Sequence, residues 1–168
     1  MSPLSVSCTN SSRYTPVLYL RDLLDPSALD AFPPLTPAVA PLPVDQVPAG
    51  AWEQWVADIE GNLRAPEMVE PRSPRLAEAV AQHRLEAEDW ANEHIDDSVV
   101  RRYQPEWMSA FLASTGGASG TFTCEVLPVR GVWWRDLSPR RMLVSQIAFA
   151  DHDLVDRLFK ERIAALLD

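Results

Sequence analysis

"TFTCEVLPVRGVWWRDLSPRRMLVSQIAF", residues 121 to 149, is the stretch whose reading decides the fold. Its first six residues alternate: Thr121, Thr123 and Glu125 fall on one side, Phe122, Cys124 and Val126 on the other. That period of two is the pattern of a strand with one buried face. "RMLVSQIAF" is a second β-rich run, and "GVWW" reads as a strand between them. From Gly50 up to this stretch the chain is largely helical in period. The order predicts an α+β protein: a helical N-terminal two-thirds, a small antiparallel three-stranded sheet at about 120–149, and a closing C-terminal helix. Asp151 or Asp153 caps that last helix, whose apolar face runs from Leu154 and Val155 to Leu166 and Leu167.

Working back from the sheet, "STGGASG" (114–120) reads as a flexible connection, since no lysine follows as a phosphate loop would need. "PEWMSAFLAS" from Pro105 is helical. A long helix is expected from Ser73, as N-cap, with Pro74 at its first position, through about Asp96. "AWEQWVADIEGNLR" sets Trp52, Trp55, Val56, Ile59 and Leu63 on one helical stripe. Asp25 and Pro26 predict a short helix over "DPSALDAF", while Val17 to Leu20 fits either a strand or a helical turn. Residues 33–50 hold six prolines and form an extended arm or linker on a single domain spanning 1–168. The apolar residues Leu35, Val39, Leu42, Val44 and Val47 favour an arm packed on a surface over a ligand for a partner's aromatic groove.

Composition limits function. The net charge of -9 opposes general nucleic-acid binding, because a phosphate backbone would be repelled. Of 15 basic residues only Lys160 is a lysine, a bias of GC-rich coding that points to a bacterium or its phage. The N-terminal residues lack a basic and an apolar signal region, and no long apolar run occurs. A cytoplasmic location with no membrane span is therefore expected. Cys8 and Cys124 are too few for a disulfide framework and match no zinc spacing. Cys124, on the apolar side of its strand, is expected to be a buried, inert thiol.

No catalytic residues, cofactor or metal are predicted. His83 and His94 share one face of the long helix, but eleven residues separate them by about 16 Å along the axis, too far for one ion. With Trp90 they define an alternative reading, a small enzyme or ligand-binding domain with a pocket lined by His83, Trp90 and His94. Asp151, Asp153 and Asp156 around His152 suit a helix N-terminus better than a metal site.

Charge is more informative. Residues 86–97 carry six acids (Glu86, Glu88, Asp89, Glu93, Asp96, Asp97) and no base. Residues 130–141 carry Arg130, Arg135, Arg140 and Arg141 against Asp136 alone. If "GVWWRDL" is a strand, Trp133 and Trp134 point to opposite faces, so one of them leaves the core side. The leading expectation is a non-enzymatic interaction protein of the accessory, assembly or regulatory kind. Its contact surface is Trp133, Trp134, Arg135, Arg140 and Arg141, and its partner is an acidic protein or a second copy forming an oligomer. A weaker alternative is nucleic-acid binding through the arginine hairpin.

Overall fold

The sheet in the computed structural model has four strands in the order β1-β2-β4-β3. They are β1 (Ser5–Asn10), β2 (Thr121–Leu127), β3 (Trp134–Ser138) and β4 (Arg141–Ser145). The structure describes residues 4–42, 47–62, 69–114 and 119–166. Seven helices complete the described chain: α1 (Tyr14–Leu24), α2 (Ala51–Gly61), α3 (Pro74–His94), α4 (Asp97–Arg102), α5 (Glu106–Ser114), α6 (Gln146–Ala150) and α7 (His152–Ala164). No described helix is long and apolar enough to cross a membrane. The central residues of "STGGASG", and Val44 and Leu63, lie outside the described residues.

The mixed α and β content agrees with the reading above, but the antiparallel three-stranded sheet does not. β2 pairs with β1 and with β4 in parallel, and only β3 runs antiparallel, against β4. The reason lies in burial. Met142, Leu143, Val144 and Ser145 of β4 are all buried, which demands neighbours on both sides and cover on both faces. β3 alternates exposed and half-buried residues and carries Arg135 and Asp136, as an edge strand does. β4 therefore enters between β2 and β3. The run "RMLVSQIAF" also divides: its second half is α6, because the Ser145 hydroxyl accepts the Ala148 amide N–H at 3.1 Å and caps a new helix.

Two compact units emerge from the chain. One comprises Met1–Asn10, Asp96–Leu127 and Gly131–Asp168. Its core lies on one face of the sheet, where Phe122, Cys124, Val126, Met142 and Val144 meet Tyr103 and the apolar sides of α6 and α7. Val99, Val100, Trp107, Met108, Phe111 and Leu112 of α4 and α5 pack against the same core. Asp151 caps α7, accepting the Leu154 N–H at 3.1 Å.

The other unit comprises Ser11–Ile95 and Pro128–Arg130. α1 is buried nearly all round, from Tyr14 to Leu23, and packs on α2 and α3. "DPSALDAF" is a run of turns and not a helix: Asp25 closes α1, donating its N–H to the Arg21 carbonyl at 2.8 Å. Pro74 opens α3 as the spacing implies, yet the Ser73 side chain makes no capping bond and, among the described residues, its buried oxygen has no partner. The first part of the proline-rich arm is packed. Leu35 is fully buried and bridges Val129, while the Thr36 N–H donates to the Pro128 carbonyl and the Arg130 N–H to the Pro34 carbonyl, both at 2.8 Å.

The turns before that arm depend on one buried arginine. Arg21 is 1% exposed. Its Nε donates to Asp22 Oδ1 at 2.7 Å, Nη1 to the Phe32 carbonyl at 2.7 Å, and Nη2 to the Pro33 carbonyl at 2.9 Å. The second Asp22 oxygen accepts the Leu35 N–H at 2.7 Å. Irregular backbone out of water has carbonyls with no ladder partner, and a guanidinium supplies several donors in one plane.

Candidate interaction surface

β3 and β4 form a hairpin closed at Pro139–Arg140, where the Ser138 hydroxyl accepts the Arg140 N–H at 3.3 Å. Trp134 lies opposite Val144, Arg135 opposite Leu143 and Asp136 opposite Met142, after which the register shifts before Ser138 pairs with Arg141. The extra residue is Leu137, a bulge of the kind that twists an edge strand. Opposed residues share a face, so Trp134 and Asp136 lie on the side of Val144 and Met142, where the helices pack. Asp136 receives a two-pronged bond from Arg162 of α7, with Nη2 to Oδ2 at 2.9 Å.

The two tryptophans separate as the pleat requires. Trp133 is half-buried, and its backbone is fixed to Ser145: its N–H donates to the Ser145 hydroxyl at 3.1 Å and its carbonyl accepts the Ser145 N–H at 2.8 Å. Trp134 stays 40% exposed at the sheet edge, and Val132 just before β3 is 61% exposed.

The three arginines do not form one exposed set. Arg141 turns inward, where Nη2 donates to Glu125 Oε1 at 2.9 Å in a pair whose side chains are only 13% and 6% exposed. Arg140 is exposed and donates Nη1 to the Ser119 carbonyl at 2.7 Å, passing over Gly120. A Cβ at Gly120 would stand 2.0 Å from that nitrogen, and the residue's φ of +112° is one that side chains resist. Among the described residues Arg140 has no carboxylate partner. Arg135 is half-buried.

The histidines stand apart from each other along α3. His83 is buried, with Nδ1 2.9 Å from Glu86 Oε2, and borders a hollow of about 90 Å³. That volume is well below the roughly 300 Å³ at which small-molecule pockets begin. His94 stacks on Trp90 with ring centres 4.8 Å apart, and its Nδ1 lies 2.8 Å from the Trp90 carbonyl. A carbonyl only accepts, so Nδ1 carries the proton there. Neither Trp90 nor His94 borders the hollow beside His83, and α3 is continuous between the two histidines. Among the described residues, no three His, Cys, Asp or Glu side chains gather closely enough to hold a metal ion.

On the acidic side, Glu86, Glu88, Asp89 and Glu93 are all exposed along α3. Glu88 is drawn to Arg84 at 2.8 Å. Asp96 caps α4, and that bond from Ser98 holds its carboxyl below the usual range.

Three arrangements were not apparent from the residues alone. The Arg21–Asp22 pair had a visible signal, two charges inside the apolar run "YLRDLL". The Arg141–Glu125 pair and the Cys8–Cys124 neighbours had none, because both depend on strand order. A comparison of the chain with protein-family models, curated proteins and solved structures finds no match.

Proposed function

We propose that this chain is a non-enzymatic interaction subunit, of an accessory, assembly or regulatory kind, whose contact surface is the open edge of β3. Trp134 is its anchor, Val132 extends the apolar area, and Arg135 and Arg140 form its rim. The observation that carries this reading is the exposure of two large apolar side chains, Val132 at 61% and Trp134 at 40%, within three residues of an edge strand. Tryptophan and arginine are both enriched among residues that dominate binding energy, since the indole supplies area and the planar guanidinium grips carboxylates. Arg141 and Trp133 leave the set: the first is bound to Glu125, and the second is held to Ser145 through its backbone.

The chemistry selects an acidic protein surface as partner. A second copy carries one in Glu86, Glu88, Asp89 and Glu93 of α3. Rim charges act mainly on association rate and salt dependence. Replacing Arg135 and Arg140 together by glutamine is therefore expected to weaken association most at low salt, measured by light scattering against concentration. An unchanged salt dependence would remove the arginines from the surface.

A further inference from the structure

Cys8 of β1 and Cys124 of β2 are register partners on adjacent parallel strands, and both are free thiols. Residues opposed in this way project to the same side of the sheet, with neighbouring strands about 4.8 Å apart. That spacing lies inside the Cα range of about 4.4–6.8 Å usual for disulfides. Cys124 belongs to the buried core and Cys8 packs against it from the half-exposed edge strand. The inert buried thiol expected from the sequence thus has a reachable neighbour.

We propose that Cys8 and Cys124 form a reversible dithiol–disulfide site whose oxidant is a low-molecular-weight disulfide. Cys8 reacts first, because it is the thiol that solvent reaches. As a thiolate its sulfur attacks one sulfur of the reagent, the reagent's S–S bond breaks, and one small thiolate leaves with Cys8 in a mixed disulfide. Cys124, on losing its proton, attacks the Cys8 sulfur and expels the second small thiolate. Two protein thiols lose two electrons and two protons, and the small disulfide becomes two small thiols. Burial, reinforced by the Cys8 thiol beside it, pushes the Cys124 thiol up, which makes the second step the slow one. The product ties the edge strand β1 to β2 and closes a loop containing all of Ser11–Ile95.

The test uses the full chain incubated with oxidised glutathione and read by intact mass and by alkylation in denaturant. The expected product is monomeric, lighter by two hydrogens, free of alkylatable thiol, and restored by dithiothreitol, with a linked Cys8–Cys124 peptide after digestion. It should also melt higher than the reduced chain, because the link restricts the unfolded state. Cys124→Ser is expected to stop at the glutathione adduct on Cys8, and Cys8→Ser to remain unmodified while folded. A wild-type chain that ends as a stable Cys8 adduct with Cys124 still free would overturn the proposal. So would two unreacted thiols, or a disulfide form that melts below the reduced one.

Discussion

Arg21 in the last turn of α1 and Arg140 in the turn of the β3–β4 hairpin both stand where an element ends, yet one is 1% exposed and the other faces solvent. Arg21 is surrounded by backbone with no ladder to join, so its guanidinium takes up the Phe32 and Pro33 carbonyls and Asp22. The hairpin satisfies most of its own backbone through the β3–β4 pairing, and Arg140 gives one bond to Ser119 and keeps its charge at the surface. A basic residue is thus drawn inward where local backbone lacks partners, and left outward where a sheet supplies them. Arg141, one residue along, shows how narrow the division is: strand alternation aims it at the buried Glu125.

Four substitutions probe this division, in falling order of effect on stability. Arg21→Met removes the guanidinium donors from the buried Asp22 carboxylate and from the Phe32 and Pro33 carbonyls, and is expected to cost about 3–5 kcal/mol in urea unfolding. A loss under about 1 kcal/mol would mean the turns rearrange and the clasp is dispensable. Arg141→Gln removes the Arg141 bond from the buried Glu125 carboxylate and is expected to cost about 2–4 kcal/mol, with much of the loss recovered in the double variant Arg141→Gln/Glu125→Gln. An additive double variant would show that the pair is not coupled. Tyr103→Phe is the third. The Tyr103 hydroxyl donates to Asp156 at 2.7 Å, and burial, then that carboxylate, raise the phenol well above its ordinary range. The folded state therefore retains a proton that the unfolded chain releases near pH 10, so this contribution is whole below about pH 10 and declines above it. Wild type should lose stability above that pH more steeply than Tyr103→Phe, and parallel slopes would contradict the assignment. Arg140→Gln should be the mildest, within about 1 kcal/mol in the same unfolding measurement, because its side chain is exposed.

The sequence was readable where one element's own period or punctuation decides its form. Pro74 announces α3, the spacing of Trp52, Trp55, Val56 and Ile59 announces α2, and alternation from Thr121 announces β2. It was opaque where a partner decides. "SVSCTN" is a strand only because β2 lies beside it. "RMLVSQIAF" is mostly apolar on both sides of Ser145, and the Ser145 cap divides strand from helix. Strand order was half legible, since a continuous apolar β4 and a charged β3 indicate centre and edge; assuming that successive strands pair in turn hid it. The candidate surface shared this limit. Alternation separates Trp133 from Trp134, but only the register shows which is exposed and that Arg141 meets Glu125.

The contact role of the β3 edge rests most directly on Trp134, and sedimentation equilibrium of wild type and Trp134→Ala at low and high salt tests it. Self-association of wild type is expected, and loss of the indole should weaken it by about 30-fold or more, equivalent to roughly 2 kcal/mol, at both salt concentrations. The melting temperature should change little, because the side chain is already 40% exposed. A wild-type chain that stays monomeric throughout, or a Trp134→Ala chain that associates as tightly as wild type, would contradict the account.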